Sequence, residues 1–207
     1  MKIQNKIGIV GGTFNPIHLG HLLLAEAARE TFNLDRVLFI PSGNSYMKDA
    51  KQILDGNNRL HLVELAVRGN PFFEVSAMEI ERMGETYTCD TLKILKQKYP
   101  ETEFYFIVGA DSLFHMQKWK NPEIIFQSCH VAAAVRDNMD LSAVKQKAQE
   151  LQKQYHASVF PVSLGQIDIS STMIRDRIRQ HRSIRYMVPA SVLQYIEEKH
   201  FYQSEQA

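Results

Sequence analysis

No stretch of this sequence approaches the roughly 18 consecutive apolar residues that a membrane-crossing helix needs. The amino-terminal "MKIQNKIGIVGG" has neither the apolar run nor the small-residue cleavage site of a secretory signal. A surplus of one charge is missing too: 24 Lys and Arg stand against 23 Asp and Glu, a formal charge of +1. That balance excludes the broad basic surface on which bulk nucleic-acid or anionic-membrane binding depends, so any anion site must be local. Cysteine is scarce. Cys89 and Cys129 lie far apart in apolar segments and suit free thiols in a reducing compartment better than a disulfide framework. Internal repeats and low-complexity segments are absent. The expectation is a cytoplasmic protein with no nucleic-acid and no membrane partner; a homo-oligomer stays open.

What the chain does have is 207 residues, 44% of them hydrophobic, enough for one ordinary domain with a sizeable core. β-rich runs at 7–10, 37–40, 72–76, 103–108, 131–135 and 158–162 alternate with helical patterns. The helices are expected at 19–32, from Asn57 or Asn58 to about 68, at 89–99 and at 141–155. Residues 170–200 read as two more, parted near 183–189. Such alternation predicts an α/β fold, a doubly wound parallel sheet, as a single domain over 1–207 with 170–207 as a C-terminal helical subregion. Ligands of such sheets bind beyond the carboxyl ends of the strands, where the strand order reverses.

At that place stands "GGTFNPIHLGH", directly after the first strand. Gly11 and Gly12 allow a sharp turn and a close ligand, and Thr13 adds a hydroxyl. His18 and His21, three apart on the opening turn of a helix, face one way at the positive end of its dipole, where phosphate oxygens are favoured. A zinc pair is the competing reading, and it lacks a further ligand nearby. A second phosphate grip is offered by "ISSTMIRDRI": Ser170, Ser171 and Thr172 suit a helix amino terminus, with Arg175 one turn in.

The motif His18-Leu19-Gly20-His21 in its setting resembles the signature of the HxGH nucleotidyltransferase superfamily, and the Ser170–Arg175 stretch resembles its second signature. "ERMGETYTCDTL", "FIVGADSL" and "MQKWKNPEII" further resemble the bacterial nicotinate-mononucleotide adenylyltransferases, from residue 7 to about 197. The resemblance implies a Rossmann-like nucleotidyltransferase fold and transfer of AMP from ATP to nicotinate mononucleotide, with Mg²⁺ carried on the ATP phosphates. It implies that His18, His21, Lys48 and Arg175 act on the triphosphate. Gly11, Gly12, Thr13, Phe14, Ser170, Ser171 and Thr172 would line ATP. Asn15, Thr86, Tyr87, Thr88, Gly109, Asp111 and Trp119 would meet the mononucleotide, with Trp119 stacking on the pyridine ring. The chain departs from the family's "PPHK"-like stretch, reading Ser45-Tyr46-Met47-Lys48, which makes Lys51 a rival to Lys48. Other acceptors within the superfamily, or a silent nucleotide sensor, are the alternatives.

Overall fold

Six parallel strands form one sheet in the order β3-β2-β1-β4-β5-β6. They are β1 (Lys6–Gly12), β2 (Arg36–Pro41), β3 (Phe73–Val75), β4 (Glu103–Val108), β5 (His130–Arg136) and β6 (Val159–Leu164). This computed structural model describes residues 5–43, 53–136, 141–165 and 167–203. From β1 the chain steps outward to β2 and β3, then returns across the sheet to β4 and steps the other way. The reversal lies between β1 and β4, which pair from Lys6↔Glu103 to Ile9↔Phe106. A doubly wound sheet was expected, and it is what forms.

Side chains along each strand alternate between two cores, as a strand period of two requires. Val10, Val37, Phe39, Tyr105 and Ile107 enter one apolar cluster, while Ile7, Ile9, Ile40, Phe104 and Phe106 enter the other. Helices α1 (Leu19–Phe32), α2 (Gly56–Val67), α7 (Ser171–Arg179) and α8 (Ala190–Glu198) cover the first. Helices α3 (Thr88–Lys98), α4 (Ala110–His115), α5 (Pro122–Ser128) and α6 (Leu141–Tyr155) cover the second. The carboxyl-terminal helices therefore share a core with the sheet, through Ile174, Val192 and Ile196.

Helix α1 has the bounds its periodicity predicts, and Asn33 in left-handed conformation closes it by donating to Arg29 O. Two expectations need correction. Helix α2 is capped by Asp55, whose carboxylate accepts from Asn57 N and Asn58 N, so the asparagines are capped rather than capping. Helices α4 and α5 had no counterpart in the sequence reading. At six and seven residues they are too short to show a helical period.

Candidate active site

Beyond the carboxyl ends of β1 and β4 the chain builds a tight loop between Gly12 and α1. Gly11 and Gly12 remain extended within β1, in register with Ile40 and Pro41. The left-handed residue is Phe14, at φ 48°, and the Asn15–Pro16 bond is cis. The turn was expected at the glycines; it is made two residues after Gly12 by a buried phenylalanine. Phe14 is held there by its ring, which meets His21 edge-on at 5.2 Å and Phe39 at 6.2 Å between centroids. The wedge under His21 is thus part of the same turn.

His18 and His21 come together as expected, their rings 3.7 Å apart and inclined by 30°. His18 caps α1, and its main-chain N–H donates to His21 Nδ1 at 3.3 Å. That contact places the proton of a neutral His21 on Nε2. A Cβ on Gly20 would lie 3.0 Å from His18 Nδ1, so the glycine leaves room for the ring. Burial pulls the His18 imidazole down from 6.5 to about 4, which keeps it neutral at physiological pH. His18 Nδ1 is buried with no hydrogen-bond partner among the described residues.

A buried neutral histidine has a consequence for stability. Between pH 6.5 and about 4 the unfolded chain binds a proton that the folded chain refuses, so stability rises with pH in that window and is lost on acidification through it. The full shift corresponds to about 3 kcal/mol. In His18→Gln the fall of Tm between pH 6.5 and 4 should be visibly shallower than in wild type. An unchanged slope would contradict the assignment.

The second grip folds back onto this loop. Ser170 Oγ caps α7 by accepting from Met173 N at 3.1 Å, and Ser171 Oγ donates to Pro16 O at 2.8 Å. Arg175 Nη1 donates to Asn15 O at 2.9 Å and Nη2 to Thr172 Oγ1 at 3.2 Å, while its Nε is buried without a partner among the described residues. Asn15 is itself buried; its Oδ1 accepts from Leu54 N at 3.2 Å and from the Tyr202 hydroxyl at 3.0 Å. Burial raises the Tyr202 phenol, so it is a neutral donor. Arg59 ties the remaining ends, with Nη1 on Thr13 O at 2.8 Å, Nε on Leu54 O at 2.9 Å and Nη2 on Gly43 O at 3.3 Å. Neither Arg59 nor Tyr202 was singled out in the sequence. No motif marks them; only their burial does, and burial is a property of the fold.

Beside the histidine loop opens a cavity of about 320 Å³, reaching from Gly12 and Thr13 to Thr86, Tyr87, Thr88 and Trp119. Three buried polar atoms on its walls lack partners among the described residues: Ser42 Oγ, Thr86 Oγ1 and Trp119 Nε1. Trp119 is set by an edge-on contact with Phe106, 6.2 Å between centroids. The cavity therefore combines a flat aromatic wall with two unpaired hydroxyls, the unpaired indole N–H and the opening N–H groups of α3, a shape and polarity for a planar ring with an acceptor substituent. Gly109 and Asp111 do not line it; they sit exposed where β4 passes into α4, while Ser112 of the same turn does face the cavity. Lys48 and its rival Lys51 lie outside the described residues. No group of three or more His, Cys, Asp or Glu stands close enough to hold a metal ion among the described residues. No described helix is long and apolar enough to cross a membrane.

Comparison with known proteins adds the lineage. Residues 9–177 match the family model described as cytidylyltransferase-like. A protein of Lachnoclostridium phytofermentans named "Probable nicotinate-nucleotide adenylyltransferase" is 46% identical, covering 96% of this chain and 100% of its own. One of the same name from Thermoanaerobacter is 40% identical over 100% of this chain and 98% of its own. In structure, the nicotinic acid mononucleotide adenylyltransferase of Plasmodium falciparum complexed with NaAD superposes with a TM-score of 0.78 at 17% identity, covering 96% and 98% of the two chains. That likeness is one of fold. With identity of this order along its whole length, the chain belongs to the nicotinate-nucleotide adenylyltransferase family, within the cytidylyltransferase-like nucleotidyltransferases.

Proposed function

We propose that this chain transfers AMP from ATP to nicotinate mononucleotide, giving deamido-NAD and pyrophosphate, and that it works in the cytoplasm. A single juxtaposition carries the reading: one loop leads from Gly12 and Thr13, which line a ring-sized cavity, to a pair of histidines 3.7 Å apart at the start of α1, and the cavity's buried polar atoms Ser42 Oγ, Thr86 Oγ1 and Trp119 Nε1 have no protein partner among the described residues. Relatives along the whole chain bear the corresponding name.

In the reaction a phosphate oxygen of the mononucleotide attacks the α-phosphorus of ATP. A new P–O bond forms, the bond to the oxygen bridging the α- and β-phosphorus breaks, and pyrophosphate leaves with the electron pair. Such transfers are run by positioning and charge stabilisation, with no covalent enzyme intermediate required. His21, with His18 behind it, donates to the triphosphate where charge accumulates. Arg175 and the amino terminus of α7, with Ser170, Ser171 and Thr172, take the outgoing phosphates, and Lys48 joins them. Gly11, Gly12 and Thr13 form the floor along which the ATP phosphates lie, and Phe14 seats His21. Gly109 and Asp111, at the exposed end of β4, take ribose hydroxyls. Asn15 braces the loop, because its oxygens already serve Leu54, Tyr202 and Arg175. Mg²⁺ comes with ATP and neutralises its phosphate charge; His21 Nδ1, engaged by a main-chain N–H, is not available to chelate it.

The acceptor end makes the test. A carboxylate only accepts hydrogen bonds, whereas a carboxamide also brings an NH₂ that would face the donor-only Trp119 Nε1 and the opening N–H groups of α3. Each buried donor so mismatched costs roughly 1–3 kcal/mol, tenfold or more in specificity. The expected result is kcat/KM for nicotinate mononucleotide at least about tenfold above that for the nicotinamide form, and no pyrophosphate from phosphopantetheine. Equal use of the two pyridine nucleotides would refute the pocket.

A further inference from the structure

The cavity wall that receives the ring carries one carboxylate, and two more stand on the segment behind it. Glu79 lines it, held by Thr91 Oγ1 at 2.5 Å. The Tyr87 hydroxyl donates to Glu85, and Asp90 stands in the first turn of α3. An anionic acceptor entering beside Glu79 meets repulsion unless a cation offsets it. Among the described lining residues that cation is Lys120. Its Nζ lies 3.7 Å from the ring centroid of Tyr87, the central residue of the 86–88 segment. Asp90 Oδ2 is 3.9 Å away, at the limit of an ion pair, and the Lys120 side chain is 47% exposed. Its charge is therefore held in place by the aromatic face and only partly spent on Asp90.

From this arrangement we infer that Lys120 is a specificity-determining residue: its charge, poised over Tyr87 and shared with Asp90, sets the preference for an acceptor bearing a carboxylate. This deepens the proposed function and rests on that reading for the identity of the acceptor. The effect runs through space onto the 86–88 segment, so a neutral side chain should remove it, a second cation should keep it, and loss of the competing Asp90 charge should strengthen it. A mere packing role for Lys120 cannot produce opposite signs at the two positions.

The chain's one tryptophan, Trp119, lines the cavity, so binding can be read by its fluorescence without ATP. Titrations with nicotinate and nicotinamide mononucleotide would be made on wild type, Lys120→Met, Lys120→Arg and Asp90→Asn. In Lys120→Met the ratio of the two Kd values should fall about tenfold, through weaker acid binding with the amide within about twofold. Lys120→Arg should keep the wild-type ratio within about twofold, and Asp90→Asn should raise it about threefold. Equal weakening of both nucleotides in Lys120→Met, or a lower ratio in Asp90→Asn, would overturn the inference. Pyrophosphate release followed in the same samples separates the two readings. Silent protein that still shows the Lys120-dependent preference keeps the inference and loses the transfer reaction.

Discussion

Replacing His21 with alanine is expected to lower kcat by a factor on the order of 10²–10³ while leaving both KM values within about threefold. The expectation rests on how the ring is held. Phe14 meets it edge-on, the His18 ring lies against it at 3.7 Å, inclined by 30°, and the His18 N–H engages Nδ1, so a neutral ring presents Nε2–H in one orientation. A donor so preorganised stabilises charge that grows only as the α-phosphorus is attacked, so the loss falls on turnover rather than on ground-state binding. His61 provides the control. It is a half-exposed partner of Glu64 on α2, and His61→Ala should leave kcat unchanged. A His21→Ala protein turning over within threefold of wild type would remove His21 from the mechanism.

Arg59→Met should unfold about 3 kcal/mol more easily and melt roughly 10 °C lower than wild type. Arg59 is 3% exposed as a residue, and its guanidinium serves three carbonyls, on Thr13, Gly43 and Leu54. Burial lowers its pKa, and Asp55 and Glu79 act in the opposite sense. Methionine fills similar volume but strands three buried acceptors, each a desolvated group without a donor. Lysine cannot reach three carbonyls with the geometry of a planar fork, so Arg59→Lys should recover little of the loss. The comparison is Arg36→Met, which breaks an exposed pair with Glu74 and should change stability by no more than about 0.5 kcal/mol. Because Arg59 fastens the strand ends that flank the histidine loop, kcat/KM should also fall at temperatures where the variant is fully folded. Wild-type melting of Arg59→Met would show that the three contacts contribute nothing.

These two residues mark what could and could not be read from the sequence. His21 was legible because its chemistry sits in a local pattern: two histidines three apart at a helix start, straight after a strand. The same holds for α1, whose apolar spacing reproduces its bounds, and for Ser170, whose hydroxyl caps α7. Thr86 and Trp119, more than thirty positions apart, were associated through the family resemblance, and the fold brings them to one cavity. Arg59 was not legible, since an arginine inside a helical pattern looks like any solvated one until its three carbonyl partners arrive from Thr13, Gly43 and Leu54. Tyr202 reaches Asn15 across 187 positions, a contact that no local signal encodes. Phe14 took the left-handed turn that the neighbouring glycines advertised, because its ring gains a buried site against His21 and Phe39.

The central claim is that AMP passes from ATP to nicotinate mononucleotide at this histidine loop. It is tested most directly by following the label of ATP marked at the α-phosphorus, with the purified chain, Mg²⁺ and nicotinate mononucleotide. The account predicts that the label appears in a product with the mass of deamido-NAD, in step with unlabelled pyrophosphate, and that His21→Ala forms it on the order of 10²–10³ times more slowly. Label remaining in ATP, or appearing only in free AMP or ADP while the mononucleotide is untouched, would contradict it.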